Sequence, residues 1–253
     1  MDARQQPWLD APDSPHLADG EVHVWRARLL PDARTFRELW DTLSADERER
    51  AERYHFRRDR DRFVAARGAL RNLLGRYAGV APRLLRFSYD GYGKPSLRGE
   101  AGGESLRFNA SHSNDLALFA VTRGRAVGVD LEFVREDFAS FEIAEHFFSR
   151  YEVEALRALT PDVRAVAFFD CWTRKEAYIK ARGEGLSHPL HLFTVSLGPG
   201  EEAALLRTDD DPLEAARWTL IELFPGEGVR AALAIEAGSS PPRVRIFEWQ
   251  ATL

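Results

Sequence analysis

Thr160-Pro161-Asp162-Val163-Arg164-Ala165-Val166-Ala167-Phe168-Phe169-Asp170-Cys171-Trp172-Thr173-Arg174-Lys175-Glu176-Ala177-Tyr178-Ile179-Lys180-Ala181-Arg182-Gly183 reads as one helix with both ends marked. Thr160 is a cap residue, Pro161 takes the first helical position, and Gly183 is a stop. Strand-like runs follow at 192–197, 217–224, 229–236 and 244–249. Two shorter helices precede it, at about 140–148 and from Ser149, where Ser149-Arg150-Tyr151-Glu152 spells a capping box.

The first half has the same order of elements. A strand is expected at 21–27 and helical signals begin at Asp32. Ser44-Ala45-Asp46-Glu47 is a second capping box, opening a helix to about Tyr54. A longer helix is expected from about Asp59 to Tyr77, with Phe63, Ala66, Leu70 and Leu74 on one stripe and Gly79 as its stop. Strands follow at 84–89, 106–110, 116–122 and 126–132, with a turn at 90–93 and a loop at 99–104. The Arg123-Gly124 turn suggests that the last two strands form a hairpin. Helices followed by antiparallel-looking strands, twice over, predict an α+β fold. The expected organisation is an extension at 1–20, one half at 21–124 and another at 125–253.

Composition narrows the function. The chain has 253 residues, 44% of them hydrophobic, which is ample for one large core or two smaller ones. No stretch is apolar and long enough to span a bilayer, and the polar, Pro-rich start lacks the apolar run of a secretory signal. Cys171 is the single cysteine, so neither a disulfide framework nor a thiolate metal cluster is available. A cytoplasmic protein is expected. A net charge of −5 disfavours broad nucleic-acid binding. Residues 46–76 nevertheless carry ten arginines against six acids, either a solvated helical face or a local anion site.

Only three of the 35 basic residues are lysines: Lys94, Lys175 and Lys180. In a chain so biased to arginine, lysine marks positions where a compact ammonium does what a planar fork cannot.

Three segments carry candidate chemistry. In Gly128-Val129-Asp130-Leu131-Glu132, a strand points Val129 and Leu131 one way and Asp130 and Glu132 the other. Adjacent carboxylates repel unless water or a cation separates them. On the long helix Glu176 and Lys180 share a face, with Trp172 and Thr173 beside it, while Lys175 points about 100° away and is expected in solvent or at a rim. Phe108-Asn109-Ala110-Ser111-His112-Ser113 reads as a strand end and a small polar turn, able to hold phosphate. Each alone is commonplace: a wet strand, a surface ion pair, a turn histidine. Together Asp130, Glu132 and Glu176 are three hard oxygen donors suited to Mg²⁺ rather than zinc, with Lys180 placed for a phosphate oxygen. A metal-dependent nuclease would use similar parts, but the acidic net charge weighs against it. The absence of G-x-S-x-G disfavours a hydrolase.

These segments resemble the surfactin-type 4′-phosphopantetheinyl transferase family. Gly128 to Glu132 is similar to its G-[IV]-D-[IL]-E motif, and Trp172 to Lys180, running on to Leu190, to W-[ST]-x-K-E-[AS]-x-x-K. Phe108 to Ser113 is similar to F-N-x-S-H-S, Tyr92-Gly93-Lys94-Pro95 to Y-G-K-P, and Phe147-Phe148-Ser149 with Glu152 to F-F-S-x-x-E. The resemblance implies two pseudo-symmetric α+β halves, a monomer, and coenzyme A bound in the cleft between them. It implies transfer of the phosphopantetheine arm to a serine of an apo acyl, aryl or peptidyl carrier protein, with 3′,5′-ADP released. It places Asp130, Glu132 and Glu176 around Mg²⁺, with Mn²⁺ as an alternative. Lys180, His112 and Ser111 fall near phosphates, Lys94 and Pro95 near the nucleotide, and Arg50 and Arg62 beside the 3′-phosphate and adenine. Glu176 and Lys180 are the expected catalytic pair. One departure stands out: Glu47 occupies a position where relatives carry a base, with Arg48 and Arg53 as neighbouring cations. Exposed residues of 133–148 are the expected acceptor surface, with Phe147 and Phe148 assigned to the core.

Overall fold

The computed structural model describes residues 7–12, 14–98, 105–183 and 188–251. The loop expected at 99–104, the extension before residue 7 and the 184–187 part of the long motif lie outside these residues. The described residues divide into two compact units: 7–90, 95–124 and 243–251 in one, 91–94 and 125–242 in the other.

The first unit is built on β2 (Glu21–Arg28), whose Val22, Val24, Trp25 and Ala27 are fully buried. Its sheet runs β1-β12-β2-β6-β5, where β1 is Leu9–Asp10, β5 Leu106–Ser113, β6 Leu116–Arg123 and β12 Arg243–Glu248. β6 is antiparallel to both β2 and β5. α1 (Ala33–Thr42) starts where Asp32 accepts the Thr35 amide at 2.7 Å, and α2 (Ala45–Glu52) where Glu47 accepts the Ser44 amide at 3.0 Å. α3 (Arg57–Ala78) ends on Gly79, whose φ of +65° is the left-handed stop that glycine favours. α3 is buried on a broader face than the single stripe expected. Leu70 and Leu74 are enclosed, but so are Val64, Ala69 and Leu73, while Phe63 and Ala66 are only partly covered. α1 packs against this wider face, and Gly68 touches Leu39 so closely that a Cβ there would lie 2.7 Å from the Leu39 Cβ. Tyr77 ties the far end of α3 to β2. Its hydroxyl accepts from Trp25 Nε1 at 2.9 Å and donates to His23 Nδ1 at 2.6 Å, and burial holds the His23 imidazole neutral, below its ordinary pKa. A small hairpin joins β3 (Phe87–Tyr89) to β4 (Pro95–Leu97).

The second unit lays α6 (Pro161–Arg182) on a three-stranded antiparallel sheet, β10-β11-β7, with β7 Val127–Phe133, β10 Trp218–Leu223 and β11 Val229–Glu236. α4 (Phe141–Phe147), α5 (Arg150–Ala158) and the pair β8 (Phe193–Val195) and β9 (Leu205–Thr208) complete it. Phe148, Phe168, Phe169, Tyr178 and Phe193 fill its core, with Phe147 and Trp172 packed against them.

Four expectations change. The Arg123-Gly124 turn does not make a hairpin of β6 and β7: both edges of β6 are taken by β2 and β5, so β7 pairs with β11 instead. The last strand, assigned to the second half from sequence, runs parallel to β2 in the first. Segment 111–113 is strand rather than turn, and the bend falls at Asn114, with φ of +50°. Finally, Lys175 is not in solvent. Its ammonium is fully buried, 2.8 Å from Glu152 Oε2, and donates to the Leu190 and Phe193 carbonyls at 2.8 and 2.6 Å. Glu152 in turn accepts the Ser149 and Val195 amides, both at 2.7 Å, so one capping-box carboxylate joins α5, α6 and β8.

A buried pair of this kind is costly to break from one side, because the surviving charge has no solvent. Lys175→Met should lower the unfolding free energy by about 3–5 kcal/mol, read from urea midpoints. An unchanged midpoint would show that the pair does not hold these elements together.

Candidate active site

The candidate side chains of the second unit meet where β7 crosses α6. Gly128 makes this crossing possible. A Cβ built on it would collide with the Ala177 carbonyl oxygen and the Ala181 nitrogen. Its neighbour across the sheet is Ala234, and the partner of Asp130 is Ala232, both buried. The strand therefore lies almost on the helix backbone, with only small residues between. Asp130, on the same face of the strand as Gly128, reaches Lys180, one helical turn beyond Glu176: Lys180 Nζ donates to Asp130 Oδ1 at 2.6 Å.

The electrostatics follow from this crowding. Burial raises the Glu176 carboxyl, Asp130 and Glu132 push it further, and only Lys180 opposes them, so it titrates at about 7 instead of 4.5. Burial works against the Lys180 ammonium, but Asp130, with Glu176 and Glu132, outweighs it and holds the charge on above the ordinary lysine range. Asp130, Glu132, Glu176 and Lys180 are thus brought into one coupled group, as their motif spacing implied.

Among the described residues no three His, Cys, Asp or Glu side chains converge closely enough to grip a metal ion as they stand. The donor set itself is the right one for a hard divalent cation: carboxylates only, two of them raising the pKa of Glu176, with an ammonium holding one of them.

Lys94 and Lys180 occupy the same end of α6 but do different things. Lys94 Nζ lies against backbone carbonyls, 2.6 Å from Lys180 O and 3.0 Å from Ala181 O. Trp172, expected beside the reacting face, instead stacks on Phe168 in the core.

The first unit holds the other expected residues. Ser111 and His112 are successive residues of β5, Ser111 buried and His112 exposed, so they face opposite sides of the sheet. Pro95 begins β4. Arg50 is exposed with its guanidinium over the Phe63 ring at 5.2 Å, and Arg62 lies 3.9 Å from Asp59. Glu47 is turned inward. Burial alone would raise its carboxyl, but Arg71, Arg67 and the Ser44 amide hold it below the usual carboxylate range. Arg71 Nε donates to it at 2.6 Å, and Arg67 donates to the other oxygen. Arg48 and Arg53, its neighbouring cations, make local contacts of their own. Arg48 donates to the Trp40 carbonyl at 3.2 Å and Arg53 to Glu49 at 2.9 Å. Arg67 and Arg71 were not singled out from sequence. Their one available signal was the i, i+4 spacing on the buried side of α3.

Known proteins bear on this geometry. Residues 126–234 match the 4′-phosphopantetheinyl transferase superfamily, and residues 27–123 match the family described as 4′-phosphopantetheinyl transferase, N-terminal. The 4′-phosphopantetheinyl transferase HetI of Nostoc sp. is 39% identical over 239 residues, covering 94% of this chain and 98% of the relative. The 4′-phosphopantetheinyl transferase Sfp of Bacillus subtilis is 32% identical over 155 residues, 61% of this chain and 66% of the relative. An L-aminoadipate-semialdehyde dehydrogenase-phosphopantetheinyl transferase of Eremothecium gossypii is 40% identical over 141 residues, 52% of this chain and 50% of the relative. The chain belongs to the 4′-phosphopantetheinyl transferase family. It is an enzyme that moves the phosphopantetheine arm of coenzyme A onto carrier proteins.

Two outcomes check the site. Gly128→Ala should separate β7 from α6, lowering stability by about 1–3 kcal/mol and transfer activity along with it. The Glu176 shift has a definite sign. A carboxyl raised from 4.5 to about 7 on folding contributes stability that is complete below its unfolded pKa and lost as pH rises through about 7. In divalent-free buffer, wild-type stability should therefore fall relative to Glu176→Gln between pH 4.5 and 8, by denaturant titration. Parallel curves would remove Glu176 from the coupled group.

Proposed function

We propose that transfer proceeds by attack of a carrier serine hydroxyl on the β-phosphorus of coenzyme A, with Glu176 as base. The new bond is serine oxygen to phosphorus. The bond broken is the phosphoanhydride, the departing electron pair stays on 3′,5′-ADP, and the serine proton goes to Glu176. Glu176 stands one helical turn before Lys180, whose ammonium is held on Asp130 of β7, so base and phosphate partner sit side by side, and this geometry is the observation that carries the assignment. Lys180, kept charged by its carboxylate neighbours, stabilises the departing phosphate.

Asp130, Glu132 and Glu176 would hold Mg²⁺, or Mn²⁺ in its place. When bound, such an ion neutralises phosphate charge. Ser111 and His112, on opposite faces of β5, would each meet a different phosphate group, while Lys94 and Pro95 lie beside the nucleotide, Lys94 through its backbone because its ammonium is engaged. Arg50 and Arg62 bind the 3′-phosphate and adenine. Glu47 does not oppose this, since two arginines cancel its charge inside the fold. The enzyme works as a cytoplasmic monomer on acyl, aryl or peptidyl carriers of fatty-acid, polyketide or peptide synthesis. No helix among the described residues is long and apolar enough to cross a membrane, which is compatible with that setting.

The test is incubation with coenzyme A, MgCl₂ and a panel of apo-carriers, read by intact mass. Wild type should add one phosphopantetheine arm. Glu176→Gln should lose at least about 100-fold of the rate while still binding coenzyme A in calorimetry. Chelation should stop transfer and added Mg²⁺ restore it. Full activity of Glu176→Gln, or transfer indifferent to chelation, would overturn the base and the metal respectively.

A further inference from the structure

The C-terminal end of α6 poses a backbone problem. A helix leaves its last four carbonyls without intrahelical donors. The Gly183 amide takes the first of them, Ile179 O, at 3.0 Å. The next two, Lys180 O and Ala181 O, receive the Lys94 ammonium at 2.6 and 3.0 Å. The same ammonium stands 3.4 Å from Val127 O, the first residue of β7. One side chain from the 91–94 turn therefore bridges the end of the helix that carries Glu176 and Lys180 to the start of the strand that carries Asp130 and Glu132.

We propose that Lys94 is a positioning residue for the transfer reaction: its ammonium clamps the last turn of α6 to the start of β7, and so fixes Lys180 against Asp130. Three features of the molecule support this. An ammonium has tetrahedrally arranged N–H donors, and among the described residues three carbonyls lie within 3.4 Å of it; a guanidinium, planar and wide, does not fit that arrangement. A cation at a helix C-terminus is also favoured by the helix dipole. The elements it joins cannot adjust by sliding, because Gly128 already touches the α6 backbone one residue past Val127. Lys180, whose own carbonyl the clamp holds, is the residue whose side chain must stand 2.6 Å from Asp130. The Gly91–Lys94 turn can deliver this lysine because Gly93 has φ of +84°, a conformation that glycine tolerates, and Pro95 starts the next strand.

This inference rests on the transferase reading of the site, and kinetics separates the two. With wild type as control, Lys94→Met should lower kcat by about 100-fold while the KM for coenzyme A changes less than about threefold. Lys94→Arg should remain similarly impaired, since it restores the charge but not the tripod. Lys94→Ala should recover kcat on addition of propylammonium, which replaces the missing amine and three methylenes. Melting curves with and without the amine identify any variant that fails to fold, in which case Lys94→Arg carries the test. A large rise in KM with kcat unchanged would make the Lys94 side chain a nucleotide contact and overturn the proposal. A fully active Lys94→Arg would overturn it as well. Wild-type protein that transfers nothing to any carrier would instead defeat the transferase reading.

Discussion

The contact of β7 with the backbone of α6 is the constraint on which the second half depends. A helix and a strand normally stand apart by the thickness of their side chains. Here Gly128 removes that spacing, and Ala232 and Ala234 on the neighbouring strand keep it removed. Two charged motifs distant in sequence thereby become one cluster. Asp130 reaches Lys180 at hydrogen-bond distance, and Glu176 feels both acids of the strand. Were the gap filled by a larger residue, the same four side chains would still be present, but as separate surface charges of little consequence.

The enclosure has an electrostatic cost. Crowding carboxylates in a poorly solvated place raises the proton affinity of one of them, which is how a fold brings a carboxyl to work near neutrality. Glu47 and Glu152 have different surroundings. Each is more deeply buried than Glu176, but each is surrounded by donors: two arginines and an amide for Glu47, one lysine and two amides for Glu152. Those carboxylates serve the scaffold. The three acids thus differ in role because of what faces them.

The lysines show the same principle. In a chain with 32 arginines among its 35 basic residues, all three lysines end up in sites where an ammonium meets oxygens at short range. Lys175 meets two carbonyls and a carboxylate, Lys94 three carbonyls, and Lys180 a carboxylate. Compositional rarity identified the positions. It did not say that Lys94 and Lys175 would meet backbone carbonyls while Lys180 would meet a carboxylate of β7.

The sequence by itself determined the helices, their caps and stops, because these are local: Ser44 with Glu47, Ser149 with Glu152, Pro161 and Gly183 act within one turn of chain. It also determined which charged side chains would share a face, since period-two and i, i+4 spacing place Asp130 with Glu132 and Glu176 with Lys180 whatever surrounds them. Strand pairing was not legible. Whether β7 joined β6 or β11, and that β12 would cross back to lie parallel to β2, depended on which sheet edges were free, a property of the assembled fold. Nor could sequence reveal that Lys175 would be buried or that Arg67 and Arg71 would enclose Glu47. Those outcomes turn on burial and on contacts between residues 20 or more positions apart, and only the tertiary structure sets them.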